Sequence, residues 1–381
     1  MPRNAPQGSS KRQSKSINNR NKDIILIPQH IDCWQMTEPG KLVQTKIPMP
    51  DLKPNEALVQ IKGCGVCHTD ISYFYMGVPT EQQPPLTLGH EISGVIVAGP
   101  PHLVGKEVIV PAVMPCNECD ICLSGRGNRC LAQKMPGNSL GIYGGFASHI
   151  PVPWADLCIV GERGSLPLEH LSVVADAVTT PYQAGVRARL APGDHVIVIG
   201  AGGGVGSFMT QVAKGMGAST VIGIDVNDEK LKMIEGYGAD FTINPKGKST
   251  KEVKEIIKAY CKEKNIPFNY GWKIFEVTGV KSGQELALAL LSFVGVLVVV
   301  GYGTDETSYM LSRLMAFDAE LIGTWGCPPH AYPRVLEMCV DGRINLDAFV
   351  ETRPMSEIQK VFEAAHHGDL KKRVILVPDF N

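Results

Sequence analysis

The pattern of hydrophobic and polar positions along the chain changes its rhythm near residue 177. Between about residues 28 and 175, short β-like runs such as 57–61 and 108–111 are separated by Gly and Pro. Short runs with this punctuation are typical of strands joined by turns in a compact, mostly β domain. From about residue 177 the chain alternates between strand and helix periodicity, which predicts a second domain of another kind.

The second region predicts alternating strands and helices. Strands are predicted at 195–199, 220–225, 241–244, 274–277, 296–300 and 320–322, with helical patterns at 206–216 and from Glu229 onward. Strands that alternate with helices in this way form a doubly wound parallel sheet. After about residue 324 the pattern returns to short mixed elements, which we expect to pack with the first region.

The longest apolar stretch, 286–301, is shorter than the roughly 20 residues that cross a bilayer. Gly295 divides it, so we predict a buried helix at 286–293 and an inner strand at 296–300. No partnership with a membrane is expected.

Composition and charge indicate a soluble globular chain. The 381 residues are 44% hydrophobic and 20% charged, and their formal net charge is −1, which argues against a nucleic-acid partner. The segment 1–22 contains Lys and Arg but no acid and predicts a disordered basic tail. The apolar run 24–27 stops at Pro28, too early for a secretory signal, so a cytoplasmic location is expected.

Four of the eleven cysteines, Cys116, Cys119, Cys122 and Cys130, form a dense loop motif with the spacing C-x2-C-x2-C-x7-C. Four thiolates at short spacing suit a closed structural zinc site. An iron–sulfur cluster also takes four thiolates, but the proline-terminated ferredoxin run is absent from the sequence. Metal binding is therefore favoured over disulfides.

A glycine-rich turn, Gly-Ala-Gly-Gly-Gly-Val-Gly at 200–206, lies between the first strand and the first helix of the parallel sheet. In this context the turn predicts dinucleotide binding, because backbone N–H groups and the helix N-terminus favour a pyrophosphate. In the usual register Gly206 and Gly203 are the last and middle glycines, and Ala201 occupies the first place. Asp225 at the end of the second strand would bind the ribose hydroxyls and repel a 2′-phosphate, which favours NAD over NADP. A purely structural turn is the alternative.

The segments Gly-Cys-Gly-Val-Cys-His-Thr-Asp at 63–70 and Gly-His-Glu at 89–91 contain the candidate chemistry. A catalytic zinc needs three protein ligands and one exchangeable position. Cys67 and His90 would supply a thiolate and an imidazole.

Together these motifs resemble the zinc-dependent medium-chain alcohol dehydrogenase family, in the family's order and over essentially all of the chain after residue 28. The resemblance implies an α/β fold: a mostly β GroES-like catalytic domain plus a doubly wound, parallel-sheet Rossmann domain. We expect the catalytic domain at 23–176, the NAD-binding domain at 177–323 and a return segment of the catalytic domain at 324–381.

The family resemblance also implies roles for single residues. Asp70 would orient His90 as its hydrogen-bond partner, Glu91 would be a nearby acid, and Thr69 would pass the alcohol's proton onward. The remaining residues would bind the cofactor: His68 and Arg373 at the pyrophosphate, Lys230 at a ribose or phosphate, Thr180 and Val205 against the nicotinamide, and Ala201, Gly203, Gly204 and Gly206 in the turn.

Two positions depart from the family pattern. The third zinc ligand is usually a cysteine, but the matching position is Asp176, whose carboxylate is also an acceptable ligand. Ser72 stands where many members carry the histidine that completes the proton relay. A serine is not a base at neutral pH, so the proton would leave through ribose and water or by another route.

The activity expected from the resemblance is zinc- and NAD-dependent oxidation of a secondary alcohol to a ketone, with one catalytic and one structural zinc. Segments 27–34 and 70–77 resemble the 6-hydroxycyclohex-1-ene-1-carbonyl-CoA dehydrogenases of anaerobic benzoyl-CoA degradation. This predicts an alicyclic acyl-CoA substrate, whose phosphates need cations such as Arg126, Arg129, Lys134, Arg187, Arg189, Lys371 and Lys372.

Two alternative functions remain: the protein could be a generic alcohol or polyol dehydrogenase, or a non-catalytic nucleotide-binding subunit. By analogy with the family, a homo-oligomer, dimer or tetramer, is expected.

Overall fold

The structure is a computed structural model, and it describes residues 27–380. The predicted basic tail at 1–22 lies outside the described residues. The strands are β1 His30–Glu38, β2 Lys41–Pro48, β3 Glu56–Gly65, β4 Leu86–Thr87, β5 Glu91–Ala98, β6 Glu107–Val110, β7 His149–Pro153, β8 Cys158–Ile159, β9 His195–Ile199, β10 Thr220–Ile224, β11 Phe241–Ile243, β12 Lys273–Glu276, β13 Val296–Val299, β14 Glu320–Gly323, β15 Val350–Pro354 and β16 Arg373–Val377.

The α-helices are α1 His68–Tyr75, α2 Thr179–Arg187, α3 Gly206–Gly215, α4 Asp228–Glu235, α5 Thr250–Lys264, α6 Lys281–Leu290, α7 Ser312–Phe317, α8 Tyr332–Val340 and α9 Ile358–His367. A 3-10 helix at Glu169–Ala175 precedes α2. None of the helices described between residues 27 and 380 is both long and apolar enough for a bilayer crossing.

The second region forms a six-stranded sheet in the order β11-β10-β9-β12-β13-β14, and every pair in it is parallel. The inner strand β9 reads His-Val-Ile-Val-Ile, and its apolar residues are buried, as expected when helices cover both faces. The order of strands reverses between β9 and β12. Ligands of such sheets bind outside the carboxyl ends of the strands at this point.

The first region contains a three-stranded sheet, β2-β1-β4, and a larger sheet in the order β15-β16-β3-β5-β6-β8, with β7 also paired to β3. The last strand, β16, pairs with the carboxyl end of β3, which places Arg373 next to the segment that leads into α1. These sheets confirm the predicted fold class. The domain boundaries at 176 and 323 stay predictions.

The predicted bounds of the helix at 286–293 are wrong at both ends. Helix α6 begins five residues earlier, at Lys281, and ends at Leu290. Phe293 and Val294 are exposed, and Val294 has a φ of +54°. The apolar run therefore continues through an exposed turn, which hydrophobicity alone cannot distinguish from a buried helical turn.

Candidate active site

Three predicted metal ligands from separate parts of the chain meet in one cluster. Cys67 precedes α1, His90 precedes β5, and Asp176 follows the 3-10 helix. One carboxylate oxygen of Asp176, Oδ2, lies 3.6 Å from the thiol sulfur and 3.4 Å from the Nε2 of the imidazole. Tetrahedral zinc with ordinary bond lengths would separate sulfur and oxygen ligands by about 3.5 Å, and nitrogen and oxygen ligands by about 3.3 Å. The spacing therefore fits a zinc ion.

The ring of His90 is the second sign of a metal site. It is only 1% exposed, and neither ring nitrogen has a hydrogen-bond partner among the described residues. A buried polar nitrogen without a partner is costly. Asp70 lies 3.3 Å from Nδ1 and accepts hydrogen bonds from the backbone N–H groups of Cys67 and Gly89, each at 3.0 Å. Asp70 is thus placed to orient the imidazole, whose Nε2 points at the ligand cluster.

Electrostatics in the cluster favour a cation. Burial raises the pKa of Asp176, but the neighbouring His90 imidazole 3.4 Å away, followed by the Thr180 hydroxyl and the charge of Arg373, lowers that pKa to about 2. Burial lowers the pKa of His90, but Asp70 and Asp176 outweigh it and hold the pKa well above its usual range. The site favours positive charge at the imidazole, which either a proton or a metal ion supplies.

Glu91 and Arg373 form a buried ion pair beside the cluster. The guanidinium donates from Nε to Glu91 Oε2 at 2.7 Å and from Nη2 to Oε1 at 2.5 Å, and the backbone N–H of Ala177 donates to the same Oε1 at 3.0 Å. A Cβ on Gly65 would lie 2.0 Å from Glu91 Oε2, so only glycine leaves room for the carboxylate. Glu91, predicted as a nearby acid, is occupied by Arg373 and by the backbone N–H of Ala177, the residue after Asp176.

Thr69 and Ser72 occupy different environments on α1. The Thr69 hydroxyl oxygen lies 3.7 Å from the Cys67 sulfur, at the edge of the ligand cluster. The buried hydroxyl of Ser72 donates to the His68 backbone carbonyl at 2.9 Å. Ser72 is therefore engaged inside its own helix, whereas Thr69 faces the site.

The four cysteines at 116–130 also converge. All four sulfur atoms lie within 4.8 Å of one another, and four of the six sulfur–sulfur distances are between 3.4 and 3.9 Å. A tetrahedral zinc with about 2.3 Å zinc–sulfur bonds would give sulfur–sulfur distances of about 3.8 Å. Hydrogen bonds with the backbone N–H and with the thiol of Cys122 lower the pKa of Cys119 to about 6, which favours the thiolate that zinc requires.

Replacement of one of these cysteines tests whether the lobe binds zinc. Cys119→Ser should remove one of about two zinc ions per chain and expose the lobe at 116–132 to limited proteolysis, because a closed zinc site supplies the folding free energy of its loop. Cys261→Ala, in a buried thiol of α5 outside the clusters, is the control and should leave the zinc content unchanged. An unchanged zinc content in Cys119→Ser would refute the assignment of this lobe.

The glycine-rich turn joins β9 to α3 as predicted. A Cβ on Gly206 would lie 1.9 Å from the carbonyl oxygen of Gly200, so glycine alone allows α3 to begin this close to the strand. The Gly203 N–H donates to the same carbonyl at 3.0 Å. The turn thus presents the start of α3 toward the carboxyl edge of the sheet, where a pyrophosphate binds.

Two cavities flank this turn. One of about 540 Å³ is lined by Asp225, Lys246 and Thr278, and one of about 250 Å³ by His68, Lys230, Arg373 and the glycines at 202–204. Both oxygens of Asp225 accept backbone hydrogen bonds, from Gly202 at 2.9 Å and from Asn227 at 3.0 Å. Most of the predicted cofactor contacts therefore line one or the other of these two cavities.

The other predicted cofactor residues lie nearby. Val205 caps α3 and is half-buried, and Ala201 is buried against β10. Thr180, in the first turn of α2, donates its hydroxyl to Asp176 Oδ1 at 2.5 Å. The structure therefore places Thr180 against a candidate metal ligand, which the sequence reading did not foresee.

Some residues of the larger cavity were missed. Thr278 and Val280 follow β12, across the reversal of strand order from β9, and Lys246 and Lys248 follow β11. The ends of the predicted strands at 241–244 and 274–277 were a usable signal, because ligands bind beyond the carboxyl ends of parallel strands.

Two family models match the chain. One, described as an alcohol dehydrogenase GroES-like domain, matches residues 53–162, and one, described as a zinc-binding dehydrogenase, matches residues 204–341. An alcohol dehydrogenase of Geobacillus stearothermophilus is 32% identical over 347 residues, which cover 89% of this chain and 97% of that relative. The chain belongs to the zinc-binding alcohol dehydrogenase family.

Other similarities agree with this membership. A sorbitol dehydrogenase of Bombyx mori is 26% identical over 353 residues, which cover 87% of this dehydrogenase and 94% of the relative. A solved alcohol dehydrogenase of Thermotoga maritima matches with a TM-score of 0.82 at 24% identity, covering 92% of this chain and all of that one. At that identity the structural match concerns the fold.

Family membership and the two ligand clusters confirm the expected enzyme class and cofactors. The dehydrogenase uses zinc and a nicotinamide dinucleotide, and its substrate is a small molecule. Its relatives have the names of alcohol and polyol dehydrogenases, so the family does not support the narrower expectation of a CoA thioester.

Cofactor choice gives a second local prediction. Asp225→Asn should raise the KM for NAD about 10- to 100-fold and improve the use of NADP, because a charged acceptor is lost from the ribose and no longer repels a 2′-phosphate. Initial rates with both cofactors test it. Asp228→Asn, whose carboxylate accepts from Asn244 at 2.8 Å, is the control. Equal effects of the two variants would contradict the role of Asp225.

Proposed function

We propose that the dehydrogenase oxidises a secondary alcohol to a ketone with NAD, and that Cys67, His90 and Asp176 hold its catalytic zinc. The convergence of these three ligand atoms on one point, next to the glycine-rich turn, carries the proposal. Arg373 connects the two places: its guanidinium binds Glu91, and its Nη1 would lie 2.7 Å from a Cβ on Gly204. Hydride transfer requires such proximity between metal and cofactor.

When bound, the zinc polarises the alcohol oxygen and lowers its O–H pKa, and NAD accepts the hydride. The chain's own residues prepare this reaction. Asp70 orients the His90 ring, Thr180 and Glu91 fix Asp176 and its following peptide, and the turn at 200–206 holds the pyrophosphate. These contacts hold the reacting groups at a fixed separation, which supplies much of the catalytic advantage.

The proton of the alcohol has a short route. Thr69 lies at the edge of the ligand cluster and would accept it, whereas the Ser72 hydroxyl is already bonded to the His68 carbonyl. We propose that Thr69 relays the proton toward solvent, and the cofactor, when bound, would supply ribose hydroxyls beside it. Thr69, unlike Ser72, then touches the substrate.

The substrate itself has two candidate classes. A simple secondary alcohol or polyol is favoured by the relatives' names. An alicyclic acyl-CoA, 6-hydroxycyclohex-1-ene-1-carbonyl-CoA, rests on the resemblance at 27–34 and 70–77. The cations predicted to bind its phosphates do not lie in one place. Lys371 and Lys372 line the smaller cavity. Arg129 instead packs on Trp325, and Arg189 pairs with Glu320. The first class is therefore the better supported.

Formation of NADH distinguishes the candidates. The protein is assayed with simple secondary alcohols, with polyols and, separately, with the cyclohexenyl-CoA alcohol. Turnover of simple alcohols or polyols alone would eliminate the CoA thioester. Turnover of the thioester alone would eliminate the generic enzyme, and no NADH with any alcohol would favour a non-catalytic nucleotide-binding role.

Compartment and assembly belong to the same proposal. Cysteines bind zinc as thiolates and must therefore stay reduced, so the half-buried and buried thiols of the lobe support the cytoplasm. A homo-oligomer, dimer or tetramer, is proposed by analogy with the family.

A further inference from the structure

The backbone on both sides of Asp176 is fixed by buried side chains. The Ala177 N–H donates to Glu91 at 3.0 Å, and the Ala175 carbonyl accepts a hydrogen bond from the hydroxyl of Tyr332 at 2.5 Å. Asp176 thus lies between two peptide groups with fixed positions, one bound by the carboxylate of Glu91 and one by the hydroxyl of Tyr332.

Tyr332 makes a second bond with the same hydroxyl. It is the first residue of α8 and has no exposed surface. Its oxygen accepts a hydrogen bond from the Ala112 N–H at 3.1 Å. Ala112 follows β6 and precedes Cys116 of the cysteine lobe by four residues. One phenol therefore joins the segment that enters the lobe to the segment that presents Asp176.

The Tyr332 hydroxyl keeps its proton at neutral pH and can therefore donate a hydrogen bond. Burial raises the pKa of Tyr332 well above its usual range, and nearby Cys327 raises it further. Without this hydroxyl, the Ala112 N–H would be buried without its partner, and the Ala175 carbonyl would keep only the hydrogen bond that the Thr179 hydroxyl donates at 3.0 Å. Loss of both bonds to Tyr332 favours a backbone reorganisation that satisfies these groups again. Movement of the Ala175 peptide would rotate the adjoining Asp176.

We propose that Tyr332 is a positioning residue that holds Asp176 in the orientation required for zinc binding. The inference rests on the proposed function, in which Asp176 is a zinc ligand. Residues that orient metal ligands from behind typically change metal affinity 10- to 100-fold when removed. Tyr332 acts through the backbone of Ala175, so it touches neither substrate nor cofactor.

The test is zinc release from the full-length protein to a coloured chelator. Tyr332→Phe removes only the hydroxyl and should speed release of the catalytic zinc about 10- to 100-fold, with little change in release from the cysteine lobe. Tyr309→Phe is the matched control, because its hydroxyl is buried and has no hydrogen-bond partner among the described residues. Thermal midpoints of both variants show whether the fold is maintained.

Two results would overturn the inference. Release at the wild-type rate, even with a lower thermal midpoint, would show that the hydroxyl supports only the fold. Equal acceleration from both zinc sites would indicate general loosening. A wild-type protein without any releasable zinc outside the lobe would instead overturn the proposed function, so the two failures are distinguishable.

Discussion

Asp176→Ala should lose the catalytic zinc and lower kcat/KM roughly a thousandfold or more, because the metal contributes several kcal/mol of charge stabilisation in the transition state. The lost carboxylate supplies the oxygen that lies 3.4 Å from His90 and 3.6 Å from Cys67, so two ligands would remain. The cysteine lobe has no contact with this carboxylate and should keep its zinc. Metal analysis and steady-state rates measure both effects.

Asp176→Cys is the matched control for this loss. It restores the thiolate that the family usually carries at this position, and a thiolate is itself a zinc ligand. We expect it to retain about two zinc ions per chain and measurable turnover. If Asp176→Ala keeps both zinc ions and normal rates, the ligand assignment is wrong.

Glu91→Ala should lower the free energy of unfolding by about 3–5 kcal/mol, because it leaves the Arg373 charge buried without its partner. The pair is almost completely buried, with 6% and 0% of the two side chains exposed. For a domain of this size the loss corresponds to a fall in thermal midpoint of roughly 10 °C. Calorimetry in the presence of chelator separates this effect from any loss of zinc.

Glu337→Ala breaks an exposed ion pair and serves as the comparison. Its partner is Arg334, 2.9 Å away, and both side chains are more than half exposed. Exposed pairs contribute about 0–1 kcal/mol, so the midpoint should hardly change. Similar shifts for Glu91→Ala and Glu337→Ala would contradict the account of the buried pair.

Much of the nucleotide-binding sheet could be predicted because the residues that define its elements are close together in the sequence. A buried strand, a glycine-rich turn and an amphipathic helix follow each other at 195–216, and Asp225 ends the next strand. The four cysteines of the lobe are also close together in the sequence, so their spacing alone predicts a metal site. The end of the helix near residue 290 was not predictable, because exposed Phe293 has the same hydropathy as a buried phenylalanine.

The contacts between the active-site residues were harder to predict from the sequence. Glu91 and Arg373 were assigned separate roles, as an acid and a pyrophosphate contact, because 282 positions separate them in the chain. Tyr332 gave no signal, since its partner Ala175 is 157 positions away and any buried helix could begin with tyrosine. Ser72 was recognised as a departure from the family, but only the helix geometry gives its hydroxyl a partner.

The most direct test of the central claim follows NADH absorbance after a secondary alcohol is added to the full-length protein. The measurement is repeated after a chelator has removed the exchangeable zinc, and again after zinc is restored. The account predicts alcohol-dependent NADH formation that disappears with this zinc and returns with it, while the lobe zinc stays bound. An unchanged rate in protein shown by metal analysis to have lost the exchangeable zinc would contradict it.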